Sequence, residues 1–168
     1  MASLKQIYRC HLVIINTGHN MDTGKINMLL SELGEVLNLE RVTAYDDQMW
    51  SLHFAENNSV DVLLVEEKGE LLISKNLLIE QDDITLDKLQ VLLEYNFLYR
   101  ETGGVQFCVN PTRKDVVLQV AIAAGSELTN IANLIIQLNE LVDTWGQLFQ
   151  NNTVVDFSQT DVHAFIQV

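Results

Sequence analysis

The segment Leu92–Leu98, with the sequence LLEYNFL, is followed after three residues by Thr102–Phe107, with the sequence TGGVQF. Leucine and aromatic residues recur at spacings of three and four from Leu86 onward, which predicts an amphipathic helix. The pair Gly103-Gly104 can adopt the positive φ that a chain reversal requires. The residues after it alternate between apolar and polar side chains, as in a half-buried strand. We therefore expect a helix, a tight reversal and a strand.

The chain upstream of this segment predicts a first helix and three strands. Apolar residues at helical spacing begin at Thr23 and continue to Leu37. The period then falls to two, which predicts strands at Trp50–Ala55, Val60–Glu66 and Glu70–Lys75. Asp82-Asp83-Ile84-Thr85 then supplies negative charge and a capping hydroxyl for the start of the second helix.

The chain downstream predicts a hairpin and a long final helix. Strands at 105–109 and 116–122 flank the loop Pro111–Lys114, and Ser126-Glu127 is a candidate helix start. The final helix carries seven apolar residues at alternating spacings of three and four. They are Leu128, Ile131, Ile135, Leu138, Val142, Trp145 and Phe149. The resulting order α-β-β-β-α-β-β-α lacks βαβ units, so we expect an α+β fold with an antiparallel sheet.

The pattern defines one domain with an extension at each end. We expect a single domain over residues 23–150, which is long enough for one hydrophobic core. Residues 1–22 form an N-terminal extension of uncertain structure, with an apolar, strand-like piece that includes Leu12–Ile15. Residues 151–168 form a C-terminal tail that is either an edge strand or disordered.

Composition restricts the partners and the compartment. Ten Lys and Arg against 23 Asp and Glu give a formal charge of −13, which repels phosphate backbones and anionic lipid. We therefore expect neither nucleic acid nor membrane as a partner. Cys10 and Cys108 lack the spacing of a metal site or a disulfide scaffold, which favours a reducing compartment. The apolar runs are too short for a signal peptide or a membrane span, so we expect a cytoplasmic protein.

The titratable residues do not form a recognisable catalytic or metal-binding pattern. The histidines His11, His19, His53 and His163 are scattered, without the spacing of a zinc-binding helix. Adjacent acidic residues on a strand point to opposite faces, which does not suit acid–base catalysis. Gly103-Gly104 lacks the Lys-Ser/Thr of a phosphate loop. We expect no catalytic residues, no metal, no cofactor and no enzymatic activity.

The central segment resembles the CesT/SycE-like class I type III secretion chaperones. Those proteins have a leucine-rich second helix that ends in a similar Leu-Leu-Glu-x-Asn stretch. A Gly-Gly pair, a hairpin and a long final helix with a late tryptophan follow. Asn96, Gly103, Gly104 and Trp145 stand where that pattern has them, and the resemblance covers Thr23–Gln150.

This resemblance implies a bacterial, cytoplasmic homodimer that binds an extended segment near the N-terminus of a secreted effector. Such a chaperone keeps the segment partly unfolded and secretion-competent, and delivers it to the export apparatus. The export ATPase is a further candidate partner. The alternative is a dimeric α+β interaction module that regulates the secretion apparatus or its expression.

Two sets of apolar residues are candidates for these contacts. The effector-binding candidates lie on the first helix and the first predicted strand. They are Leu29, Leu33, Val36, Leu37, Trp50, Leu52 and Phe54. The dimer-interface candidates, which the resemblance places on and near the second helix, are Leu86, Leu89, Leu93 and Tyr95. The competing interpretation of both sets is ordinary core packing, because apolar stripes at helical or strand spacing usually face a core.

Overall fold

The computed structural model describes residues 23–55, 58–79 and 83–150, which contain three helices and six strands. In chain order these are α1 Thr23–Val36, β1 Arg41–Ala44, β2 Met49–His53, β3 Ser59–Val65, β4 Glu70–Asn76, α2 Leu86–Phe97, β5 Gln106–Val109, β6 Val116–Ala123 and α3 Leu128–Gln150. The strands form one sheet with the order β1-β2-β3-β4-β6-β5. The expectations for residues 1–22 and 151–168 lie outside the described residues.

All strand pairs of the sheet are antiparallel, which confirms the predicted α+β class. The predicted element order is corrected at one position, because β1 precedes the three strands expected before α2. β1 escaped prediction because it has four residues, of which Val42 is the one large apolar residue. A short strand at a sheet edge buries little, so its sequence carries little alternation.

The three helices cover one face of the sheet. The register aligns Trp50, Val62, Ile73 and Val120 across β2, β3, β4 and β6, and each is at most 4% exposed. In β3 and β4 the buried residues alternate with partly exposed ones, as expected when helices cover one face alone. Buried residues from all three helices join the same core. The spacing of α3 is confirmed, because six of its seven predicted residues are buried and Leu128 packs against them.

A buried lysine links the sheet to α3. Lys75 on β4 is 5% exposed, and its Nζ donates to the Oδ1 atoms of Asn58 and Asn139. Burial lowers the pKa of Lys75, while the carboxylate of Asp143 acts in the opposite direction. Two amide oxygens therefore replace part of the hydration that the ammonium loses in the core.

The predicted start of α2 and the predicted reversal after it are both present. Thr85 is the N-cap of α2, and its hydroxyl accepts a hydrogen bond from the backbone N–H of Lys88. Gly103 and Gly104 have φ of 61° and 86°, the left-handed region that glycine adopts at little cost. The reversal leads the chain into β5, beside α2.

Candidate functional site

An apolar surface remains exposed on α1. Met28 is 64% exposed and Val36 is 58% exposed, while Leu29 and Leu37 are half-buried against the core. Val36 and Leu29 are seven residues apart, which places them on the same side of the helix. Of the predicted effector contacts on α1, Val36 is thus exposed, and Leu29 and Leu37 are accessible in part.

Three of the predicted effector contacts belong to the core instead. Leu33, Trp50 and Leu52 are at most 1% exposed. Leu33 lies on the side of α1 that packs in the core, and Trp50 and Leu52 lie on the side of β2 that does so. Apolar side chains at such positions are typically buried. These three residues therefore do not line the exposed surface of α1 and β2. Trp50 is also fixed from α1, because its Nε1 donates to Oδ1 of Asn27 at 2.8 Å.

A polar notch lies where β1 begins beside the end of β2. Glu40, Arg41, His53 and Phe54 line this notch, which has a volume of about 290 Å³. Phe54 is half-buried and follows β2, so part of its ring borders charged side chains. The notch therefore offers one aromatic contact beside a carboxylate and a guanidinium, at the paired ends of β1 and β2.

A second apolar surface lies on α2. Leu86 is 80%, Leu93 67% and Phe97 89% exposed, and Leu89 is half-buried. Spacings of three and four place these four residues on one side of the helix. We call this set the α2 face. Phe97 was not among the predicted interface residues, although its spacing from Leu93 was a signal that could have identified it.

Tyr95, the fourth predicted dimer contact, faces the core. It is 1% exposed, and its ring centroid lies 5.1 Å from that of Phe107 and 5.3 Å from that of Trp145, both edge-on. Phe149 extends this aromatic cluster from Trp145 at 5.5 Å. Burial raises the pKa of Tyr95 to about 12. Tyr95 therefore does not belong to the exposed surface of α2, because its side chain points toward α3.

The described residues carry no group of three or more His, Cys, Asp or Glu that could hold a metal ion. Among the same residues, no helix has the length and apolar character needed to cross a membrane. The candidate surfaces in the described part of the chain are therefore sought among its exposed apolar residues, of which those of α1 and the α2 face lie on the predicted elements.

The sequence and the fold were compared with known proteins. The family model of the Tir chaperone protein (CesT) family matches residues 28–148. A chain in the crystal structure of the ExsC-ExsE complex is 25% identical, with a TM-score of 0.64, over 76% of this chain and 95% of that chain. A search of curated protein sequences gave no match.

Two more solved structures share the fold. A chain of the HopA1-SchA chaperone-effector complex is 14% identical, with a TM-score of 0.63, over 77% of this chain and 99% of that chain. A chain of the complex between the Yersinia pestis type III secretion chaperone SycH and a stable fragment of YscM2 is 16% identical. Its TM-score is 0.56, over 71% of this chain and 98% of that chain. The chain described here is therefore a member of the Tir chaperone protein (CesT) family, which confirms its resemblance to class I type III secretion chaperones.

Proposed function

We propose that this protein is a cytoplasmic type III secretion chaperone that acts as a homodimer. In this proposal its domain of residues 23–150 binds an extended segment near the N-terminus of an effector, keeps it partly unfolded and delivers it to the export apparatus. Catalysis and cofactors play no part. The observation that carries the proposal is the separation of two exposed apolar surfaces, one on α1 and one on α2.

The effector segment binds at the α1 and β1 end of the sheet. Val36, Leu29 and Leu37 supply apolar contact there, Phe54 adds an aromatic edge in the notch, and β1 supplies a sheet edge. An unfolded segment can use both, because its backbone pairs with an edge strand while its side chains enter apolar depressions. Ordering the segment costs several kcal/mol of the interaction, so a long shallow surface suits it better than a deep pocket.

The second copy of the chain binds at the α2 face. Leu86, Leu93 and Phe97 expose more than half of their surface. Large apolar patches on a soluble protein typically mark an interface, and a symmetric dimer covers the same patch on both copies. The formal charge of −13 keeps separate dimers apart while the α1 surface awaits an effector.

Co-expression and limited proteolysis test the proposal. The chain is produced with the N-terminal 150 or so residues of a secreted protein encoded beside it, and the purified complex is digested. We expect one effector segment of some tens of residues to resist the protease when this chain is bound, and to be digested when it is absent. A folded partner captured without such a segment would contradict the chaperone function and would indicate the regulatory module instead.

Two variants separate the two surfaces. Val36→Lys places a charge on the α1 surface and should weaken effector binding about 10-fold, the value of one lost valine contact, while the dimer persists. Leu93→Asp places a charge on the α2 face and should give a folded monomer. Calorimetric titration and sedimentation velocity of both variants check this. A Leu93→Asp protein that sediments like the parent would remove α2 from the interface.

A further inference from the structure

The two edges of the sheet differ in what faces them. In β5, the pairing Gln106↔Gln119 and the bond from the N–H of Asn110 to the carbonyl of Asp115, at 2.8 Å, fix the alternation of the ladder. Successive residues of an antiparallel strand direct their backbone groups alternately toward and away from the neighbouring strand. Val105, Phe107 and Val109 therefore direct theirs away from β6, toward the outer edge.

Asn96 occupies this outer edge at Phe107. Its Nδ2 donates to the carbonyl oxygen of Phe107 at 2.9 Å, and the N–H of Phe107 donates to its Oδ1 at 2.7 Å. One side-chain amide of α2 thus makes both hydrogen bonds that a neighbouring strand would make at that residue. An added strand would have to displace Asn96 to pair there.

Thr102 occupies the same edge two residues earlier. The N–H of Val105 donates to the carbonyl oxygen of Thr102 at 3.1 Å, and the single proton of the Thr102 hydroxyl is shared between the carbonyl oxygens of Val105 at 3.2 Å and Tyr99 at 3.3 Å. Thr102 is fully buried, so water does not compete for these bonds. The outward backbone groups of Phe107 and of Val105, the residue before β5, are therefore bonded from within the chain, whereas those of Val109 are not bonded by the described residues.

The outer edge of β1 is not closed in this way by the described residues. The register Thr43↔Ser51 and the bond from the N–H of Tyr45 to the carbonyl of Met49, at 2.9 Å, direct the backbone groups of Val42 and Ala44 outward. No hydrogen bond among residues 23–55, 58–79 and 83–150 reaches those outward groups.

We propose that Asn96 and Thr102 seal the β5 edge against strand addition, because they leave Val109 as the single β5 residue with outward backbone groups that the described residues do not bond. One residue is too short a length for another strand to pair with, whereas β1 presents two, so an extended polypeptide adds to the sheet at β1. Open edges are templates for unwanted pairing, and proteins block them with side chains or helices. The seal lies beside the α2 face, where a second copy is proposed to bind, so it would keep that contact from becoming edge-to-edge pairing. The β1 part of this inference rests on the proposed effector binding and the role beside the α2 face on the proposed dimer, whereas the closure of the edge itself rests on the hydrogen bonds of Asn96 and Thr102 alone.

The seal is tested on the protein alone. Asn96→Leu keeps the number and branching of the side-chain heavy atoms but makes neither hydrogen bond, and Asn96→Asp is the control that can still accept from the N–H of Phe107. In Asn96→Leu we expect the Phe107 amide to exchange with deuterium about 10-fold faster than in the parent, and in Asn96→Asp to exchange as in the parent. Sedimentation velocity over a 100-fold concentration range should show Asn96→Leu forming assemblies larger than the parent forms.

The outcomes separate the seal from a merely structural role. A folded Asn96→Leu protein that is less stable but sediments as the parent at every concentration would overturn the seal. If Asn96→Leu does not fold, Thr102→Val tests the seal instead, because it replaces only the hydroxyl with a methyl group. The same gain of association is expected for this variant.

The β1 part is tested by adding the effector fragment, which should slow amide exchange at Val42 and Ala44. Slowing at Val109 instead would overturn it, whereas a fragment that does not bind contradicts the proposed function and leaves the β5 result standing.

Discussion

The two ends of the sheet are built differently. At the β5 end, α2 places Asn96 on the strand edge and Tyr95 in a cluster with Phe107 and Trp145. At the β1 end, α1 packs on the sheet with exposed apolar residues, and the outward edge of β1 is not bonded by described residues. The same sheet is thus closed where a second copy is proposed to bind and accessible where an effector is proposed to bind.

The anchoring of α1 in the core can be tested with one substitution at a buried position and one at an exposed position. Leu33→Asp removes a fully buried leucine and introduces a charge without a partner, so the free energy of unfolding should fall by about 5 kcal/mol or more. Met28→Asp introduces the same residue on the exposed side of α1 and should change the free energy of unfolding by about 0.5 kcal/mol. Urea unfolding of both variants measures the difference. Equal stabilities would mean that α1 is not anchored and that its inward leucines are available to partners.

The burial of Tyr95 at the β5 end should make the stability of the protein depend on pH. Because the pKa of Tyr95 is raised to about 12, the folded protein keeps a proton between pH 10 and 12 that the unfolded chain releases. The unfolded state then binds fewer protons, so stability falls as pH rises through this range, by about 2–3 kcal/mol in all.

Tyr95→Phe should lack this fall in stability with pH. Its curve of unfolding free energy against pH should therefore be flatter from pH 10 to 12. Lys75, whose pKa is lowered, has an opposite slope that is present in both proteins and cancels in the difference. Parallel curves for the two proteins would show that the Tyr95 hydroxyl is in contact with water.

The smallest effect concerns the link between α1 and the sheet. Asn27→Ala leaves the Nε1 of the buried Trp50 without its acceptor, which should cost about 1–2 kcal/mol of stability. Asn27→Asp keeps an acceptor at the same place and should cost less. Thermal unfolding followed by circular dichroism compares them. If the two substitutions are equally costly, the hydrogen bond does not explain the role of Asn27.

Much of the fold was predictable because its patterns are local. The spacing of α3, the Thr85 cap, the glycine reversal and the β5–β6 hairpin each follow from a few neighbouring residues, and each is present. β1 was not predicted, because four residues at an edge carry almost no periodic signal.

The division of each apolar stripe between core and surface was not predictable in the same way. Leu33 and Val36 have the same apolar character and lie three residues apart, yet one is fully buried and the other is 58% exposed. Tyr95 and Leu93 differ likewise on α2, with 1% and 67% exposure. The spacing gives the width of the apolar stripe, but only the packing of neighbouring helices decides which part of it is covered. The pairing of Asn96 with Phe107 depends on tertiary contact across eleven residues and has no local signature.

The brevity of β1 has a consequence for selectivity. β1 has four residues, and only Val42 and Ala44 direct their backbone groups outward. A polypeptide that lies alongside β1 can therefore form backbone hydrogen bonds over only a short length. Backbone groups are the same in every amino acid except proline, so such an edge scarcely distinguishes one client sequence from another. Discrimination between clients would then fall to the neighbouring side chains of α1, and exchanging those few residues would be the economical way to retarget the protein.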